Sequence, residues 1–145
     1  MKKQKRNSNG VKLEINNQTK HKIDSKLIEK VIKVFGRVYK INKNKEISLA
    51  FVSDNEIKKL NKSYRGFNKP TDILSFPGEG DFLGEIIIDY DQIKRQAANF
   101  KNSAKQELIF ILTHGLLHLI GYNDETEKDR LKMVKLGEEF IKNYL

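Results

Sequence analysis

The most apolar stretch of the sequence, residues 108–120, is interrupted by residues that are polar or lack a side chain, namely Thr113, His114, Gly115 and His118. The stretch falls short of the roughly 20 apolar residues that a membrane span needs. Ser103 and Gln106 have the spacing of a capping box, which marks the start of a helix. The sequence therefore predicts a buried helix over residues 103–120 that carries two histidines.

His114 and His118 stand four residues apart in this helix. Because each helical residue turns the chain by about 100°, both imidazoles leave the same face, about 6 Å apart along the axis. Two imidazoles at this spacing can bind one metal ion. Such pairs also arise by chance in amphipathic helices, so two hydrogen-bonded core histidines are the alternative interpretation.

The residues after the helix favour a metal site. The chain contains no cysteine, so its metal ligands must be nitrogen or oxygen atoms. Gly121 permits a left-handed turn, after which Asp124 can face the histidines in an H-x3-H-x5-D pattern. Three ligands and an open position for water are typical of catalytic zinc. Glu125 and Glu127 are alternative ligands, and Asp124 could instead cap the last helix.

The residue after the first histidine argues against one class of enzyme. Metzincin proteases share the histidine spacing, but they carry a glutamate general base directly after the first histidine. Here that position is Gly115, which disfavours a peptidase. The glycine suggests that another backbone, or a substrate, approaches the helix closely beside the metal.

Length and composition indicate one folded domain of 145 residues, 38% hydrophobic and 32% charged. Residues 1–10 are expected to form a basic flexible arm, and residues 11–145 contain no linker or repeat that would divide them. No apolar signal segment follows the arm, so the cytoplasm is the expected compartment. The 28 Lys and Arg against 19 Asp and Glu give a net charge of +9, which favours polyanionic partners. Lysine that serves only as a solubilising surface residue is the alternative.

Hydrophobic periodicity predicts the order of the elements. Strands are predicted at residues 11–15, 46–52, 72–76 and 83–89. Helices are predicted at residues 24–38, 53–60, 91–100, 103–120 and 125–144. Residues 61–70 are predicted to form a polar loop, and the turn-rich residues 77–80 suggest that the last two strands pair as a hairpin. This order indicates an α+β domain, a mixed sheet of about four strands covered by helices, with the histidine-bearing helix central.

Three segments resemble the YbeY family of rRNA-maturation endoribonucleases. Residues 114–122, HGLLHLIGY, resemble the family motif H-G-x-L-H-L-x-G-Y-D-H. Residues 60–77, LNKSYRGFNKPTDILSFP, resemble its loop and strand N-x-x-Y-R-x-x-x-x-P-T-D-V-L-S-F-P, and residues 83–86, LGEI, resemble its L-G-D-I strand. The chain departs from the pattern at the third histidine, which falls on Asp124. Because carboxylate is a competent zinc ligand, we expect the site to persist with altered charge.

The resemblance implies a zinc-dependent, single-strand-specific endoribonuclease that acts in rRNA maturation, particularly of the small subunit, and in ribosome quality control. It implies one Zn²⁺ ion, with His114, His118 and Asp124 as its ligands. It also implies an essential role for Arg65, whose planar guanidinium can grip two phosphate oxygens and stabilise transition-state charge. Without the resemblance, an arginine that is solvated or paired with Asp72 would be the preferred interpretation. No general base is evident.

The implied partners are RNA, namely precursor rRNA and the small ribosomal subunit, with no DNA and no membrane expected. Ribosomal-protein or GTPase partners are left open. Two other functions remain alternatives at this point. One is a non-catalytic ribosome-associated RNA-binding factor with a structural zinc site, and the other is a metal-dependent hydrolase with a different substrate.

Overall fold

The computed structural model describes the backbone of residues 2–6 and 10–145, and the side chains of residues 10–145. Within these ranges the strands are Lys2–Arg6 (β1), Lys12–Asn17 (β2), Glu46–Val52 (β3), Ile73–Pro77 (β4) and Phe82–Asp89 (β5). The helices are Ser25–Val38 (α1), Asp54–Arg65 (α2), Tyr90–Asn99 (α3), Ala104–Leu119 (α4) and Glu127–Tyr144 (α5).

The strands form one mixed sheet in the order β1-β2-β3-β5-β4. The central strands β2, β3 and β5 are parallel, and the edge strands β1 and β4 pair antiparallel to their neighbours. The predicted α+β fold is confirmed, and the last two predicted strands do pair as a hairpin, with Leu74 opposite Ile87. The four strands predicted from the sequence correspond to β2 through β5.

Strand β1 lies where the sequence indicated a flexible arm. Its backbone pairs with β2, with Lys2 opposite Asn17 and Arg6 opposite Leu13. The charged sequence of residues 2–6 lacks the apolar alternation on which strand prediction depends. Charged residues, lysine above all, are nevertheless typical of edge strands, because they discourage further pairing with other chains.

Helix α4 lies at the centre of the helical layer, as predicted. It contacts α1, α3 and α5 as well as strands β4 and β5. Its capping box is present, since the Ser103 hydroxyl accepts from Gln106 N and the Gln106 side chain accepts from Ser103 N. Leu112 and Leu116 are almost completely buried against the sheet and the other helices. This packing fixes the direction in which α4 presents its histidines.

Helix α2 is longer than predicted. The sequence indicated a polar loop over residues 61–70, but α2 continues to Arg65 and ends at Gly66, whose φ is +77°. Asparagine is common in loops, but Asn61 lies within the helix, is buried, and donates from Nδ2 to Lys69 O at 2.9 Å. The correction matters because it places Arg65 in the last turn of a helix. In the described part of the chain, no helix has the length and hydrophobicity needed to cross a membrane.

Candidate metal centre

His114 and His118 lie on one face of α4, as their spacing predicted. Their ring centroids are 4.8 Å apart and the ring planes are inclined by 77°. The two side chains are 18% and 24% exposed, so each imidazole is largely enclosed but still reaches an open cleft. This partial exposure is what a site for an exchangeable ligand requires.

The turn after α4 brings Asp124 to the histidines. Gly121 has a φ of +109°, and its N–H donates to His118 O at 3.0 Å. Asp124 Oδ2 then lies 3.5 Å from His114 Nε2 and 3.4 Å from His118 Nε2. The three ligand atoms all lie within 4.8 Å of one another, so they converge on a single point.

The alternatives to Asp124 are not supported by the structure. Thr126 caps α5, because its hydroxyl accepts from Asp129 N at 3.1 Å, and α5 therefore begins at Glu127 rather than at Glu125. Glu127 lies beside Arg130, with 3.6 Å between carboxylate and guanidinium. Among residues 10–145, the residues that converge with the two histidines on a possible metal position include Asp124 but neither Glu125 nor Glu127.

The surroundings of His114 favour its uncharged imidazole. Burial lowers the pKa of His114, the adjacent His118 lowers it further, and the Asp124 carboxylate opposes both effects. The uncharged ring is the form that binds a metal. Two imidazole nitrogens and one carboxylate oxygen form a donor set that suits zinc, so the residues present fit this ion.

The three residues line a cleft of about 710 Å³. Arg65 at the end of α2 and Arg130 on α5 also line it, and both are exposed. The alternative pairing of Arg65 with Asp72 is not observed, and Asp72 Oδ2 accepts from Gln96 Nε2 at 3.2 Å. Arg130 could not be predicted as a cleft residue from the sequence, since only the packing of α5 against α4 brings it there.

Gly115 is tightly surrounded, but by side chains of the sheet rather than by another backbone. A Cβ atom at this position would lie 2.6 Å from Ile73 Cδ1 and 3.3 Å from Ile86 Cδ1. The glycine therefore lets α4 pack closely on the sheet directly beside His114.

A second carboxylate group lies at the ends of β3 and β5. Arg95 donates to both oxygens of Asp54, at 3.1 and 2.7 Å, and His21 Nε2 lies 2.8 Å from Asp91 Oδ1. Asp89 is fully buried between them, and burial together with the Asp54 hydrogen bond raises its pKa to about 7. The hydrogen bond from Arg95 lowers the pKa of Asp54 to about 2.

We expect Asp89 to make stability fall as pH rises through neutrality. Its pKa is about 7 in the folded chain and about 3.9 in the unfolded chain. Its contribution to the free energy of unfolding is therefore complete below about pH 4 and is lost by about pH 7. In Asp89→Asn the amide replaces the protonated carboxyl, so this loss should disappear. From pH 5 to 8 the free energy of unfolding of the wild type should fall by about 2–3 kcal/mol relative to the variant. Urea unfolding of both proteins at several pH values measures this difference. If the free energies of unfolding of the two proteins changed in parallel with pH, the expectation would be contradicted.

Comparisons with known proteins identify the family. A family model described as Endoribonuclease YbeY matches residues 13–145. A relative of that name from Thermoanaerobacter sp. (strain X514) is 38% identical over 133 residues, which cover 79% of this chain and 84% of the relative. Another relative of that name, from Acholeplasma laidlawii, is 35% identical over 133 residues, which cover 89% of this chain and 95% of the relative. The solution structure of a Thermotoga maritima protein matches with a TM-score of 0.60 at 30% identity, covering 89% of this chain and 87% of that one. The chain therefore belongs to the YbeY family.

Proposed function

We propose that this chain is a zinc-dependent endoribonuclease that cleaves single-stranded RNA in the maturation of rRNA, particularly of the small subunit, and in ribosome quality control. The observation that carries the proposal is the convergence of His114, His118 and Asp124 in a cleft that also contains Arg65. The relatives named as endoribonucleases support the class of reaction.

The three converging residues would hold one zinc ion. Bound there, zinc supplies a Lewis acid beside the phosphodiester. The site offers three protein ligands, whereas structural zinc sites are almost always closed by four. Within the described residues, this donor count favours catalysis over a non-catalytic RNA-binding factor with a structural zinc ion.

The other residues of the cleft suit an RNA substrate. Arg65 would bind two oxygens of the scissile phosphate and stabilise the charge that develops in the transition state. Arg130, which lines the same cleft from α5, would bind a neighbouring phosphate. Of the described residues that line the cleft, Asp72 is the one carboxylate outside the metal group. Because its Oδ2 accepts from Gln96 Nε2 at 3.2 Å, we expect this carboxylate to brace the wall of the cleft.

Cleavage of a single-stranded RNA oligonucleotide by zinc-loaded protein tests the proposal. We expect His118→Ala to lower the rate by at least about 100-fold, since it removes a metal ligand. His21→Ala is the matched control, because this third histidine pairs with Asp91 at the other carboxylate group and should leave the rate unchanged. No cleavage by the zinc-loaded wild type, or equal rates for wild type and His118→Ala, would reject the proposal.

A further inference from the structure

Two large aromatic side chains lie exposed next to Arg65. Tyr64 is 67% exposed and Phe67 is 50% exposed. Burying an aromatic side chain contributes about 1.5–3 kcal/mol, so two such residues left in solvent side by side indicate a binding surface. The left-handed Gly66 between Arg65 and Phe67 ends the helix and turns the chain, which separates the two rings.

The two rings have different neighbours, and each side chain is at least half exposed. The edge of Tyr64 packs against Phe76, with ring centroids 5.0 Å apart and planes inclined by 62°. Two cations lie over the ring of Phe67, whose centroid is 5.4 Å from Arg65 Cζ and 5.7 Å from Lys69 Nζ, so a base that stacks there would displace one of them or share the ring with it. Aromatic faces next to positive charge are the combination with which proteins bind single-stranded nucleic acids.

The two rings belong to two adjoining clefts. Tyr64 lines the metal cleft, and Phe67 lines a second cleft of about 500 Å³ that also contains Lys69. Arg65 lines both clefts, so it stands at their junction with one aromatic residue on each side. A phosphate bound by Arg65 would have its two flanking nucleotides directed toward these rings.

We propose that Tyr64 and Phe67 form a base-stacking shelf that receives the unpaired nucleobases on either side of the phosphate bound by Arg65. This inference rests on the proposed function, because it specifies how the same cleft binds RNA. Splayed bases of single-stranded RNA can stack on aromatic rings, whereas bases in a duplex are already paired and stacked on each other. The shelf therefore selects single strands.

Binding of a short, fluorescently labelled 2′-O-methyl RNA to the zinc-loaded full chain tests the shelf. We expect Tyr64→Ala and Phe67→Ala each to weaken binding about tenfold, since one stacked base contributes about 1–3 kcal/mol. Phe67→Tyr keeps the ring and should bind like the wild type. Phe100→Ala is the matched control, because Phe100 is 70% exposed at the end of α3 and lines neither cleft.

An abasic oligonucleotide with the same phosphates separates stacking from an indirect effect on Arg65. The shelf predicts that wild type and Phe67→Ala bind this ligand equally, and that the salt dependence of binding to normal RNA is the same for both, since no phosphate contact is lost. Unchanged affinity of both alanine variants for normal RNA, or an equal loss toward the abasic ligand, would overturn the shelf. Absence of cleavage with intact stacking would reject only the proposed reaction.

Discussion

Replacing Arg65 with alanine is expected to slow RNA cleavage by about 100- to 1000-fold and to leave the zinc content of the protein unchanged. Arg65 lines the metal cleft but is not part of the converging ligand group. Its guanidinium would act on the phosphate alone, through charge-assisted hydrogen bonds that strengthen in the transition state. Single-turnover cleavage rates and metal content, measured on the same preparations, test this expectation.

Two further variants make the Arg65 result specific. Arg65→Lys keeps the charge but loses the planar fork, so we expect a rate between those of wild type and Arg65→Ala. Lys62 is an exposed cation in the last turn of the same helix, and it lines neither cleft. The cleavage rate of Lys62→Ala should therefore stay within about twofold of the wild-type rate. A normal rate in Arg65→Ala, or a loss of rate accompanied by loss of zinc, would contradict the assigned role.

Gly115→Ala is expected to destabilise the fold by about 1–3 kcal/mol. The added methyl group would lie 2.6 Å from Ile73 Cδ1 and 3.2 Å from Ser75 Oγ, which is closer than side-chain atoms pack, so these side chains of the sheet would have to shift. Because His114 directly precedes this position, the displacement should also weaken zinc binding. Urea unfolding and zinc titration measure the two effects.

Gly137→Ala is the matched control for this variant. Gly137 also lies within a helix, but a Cβ atom there would come no closer than 3.8 Å to Thr113 Cγ2. Alanine is the better helix former, so we expect Gly137→Ala to stabilise the protein by up to about 1 kcal/mol. Equal stability changes for the two glycine variants would show that close packing at Gly115 is not the cause.

Features with local signals were predicted well from the sequence. The boundaries of β3 agree with the prediction at both ends, because residues 47–52 are mostly apolar and are flanked by polar residues. The Ser103 capping box marked the start of α4, since its hydrogen bonds span three residues. The histidine pair followed from helical periodicity alone. The position of Asp124 followed from one glycine-containing turn.

Features that depend on tertiary packing could not be predicted from the sequence. β1 is defined by its pairing with β2, and α2 continues through Asn61, which is buried and donates to Lys69 O. Arg130 reaches the cleft only through the path of α5. The 67% exposure of Tyr64 likewise depends on how α2 packs against the sheet, where its ring contacts only Phe76 among the aromatic rings of the described residues.

The most direct test of the central claim is the zinc content of purified, untagged protein, measured by plasma mass spectrometry. We expect about one zinc per chain in the wild type and in His21→Ala, and zinc lost in His118→Ala and Asp124→Ala, with circular dichroism showing that every variant is folded. Absence of zinc in the wild type would contradict the metalloenzyme account. Full zinc occupancy in Asp124→Ala would show that Asp124 is not the third ligand.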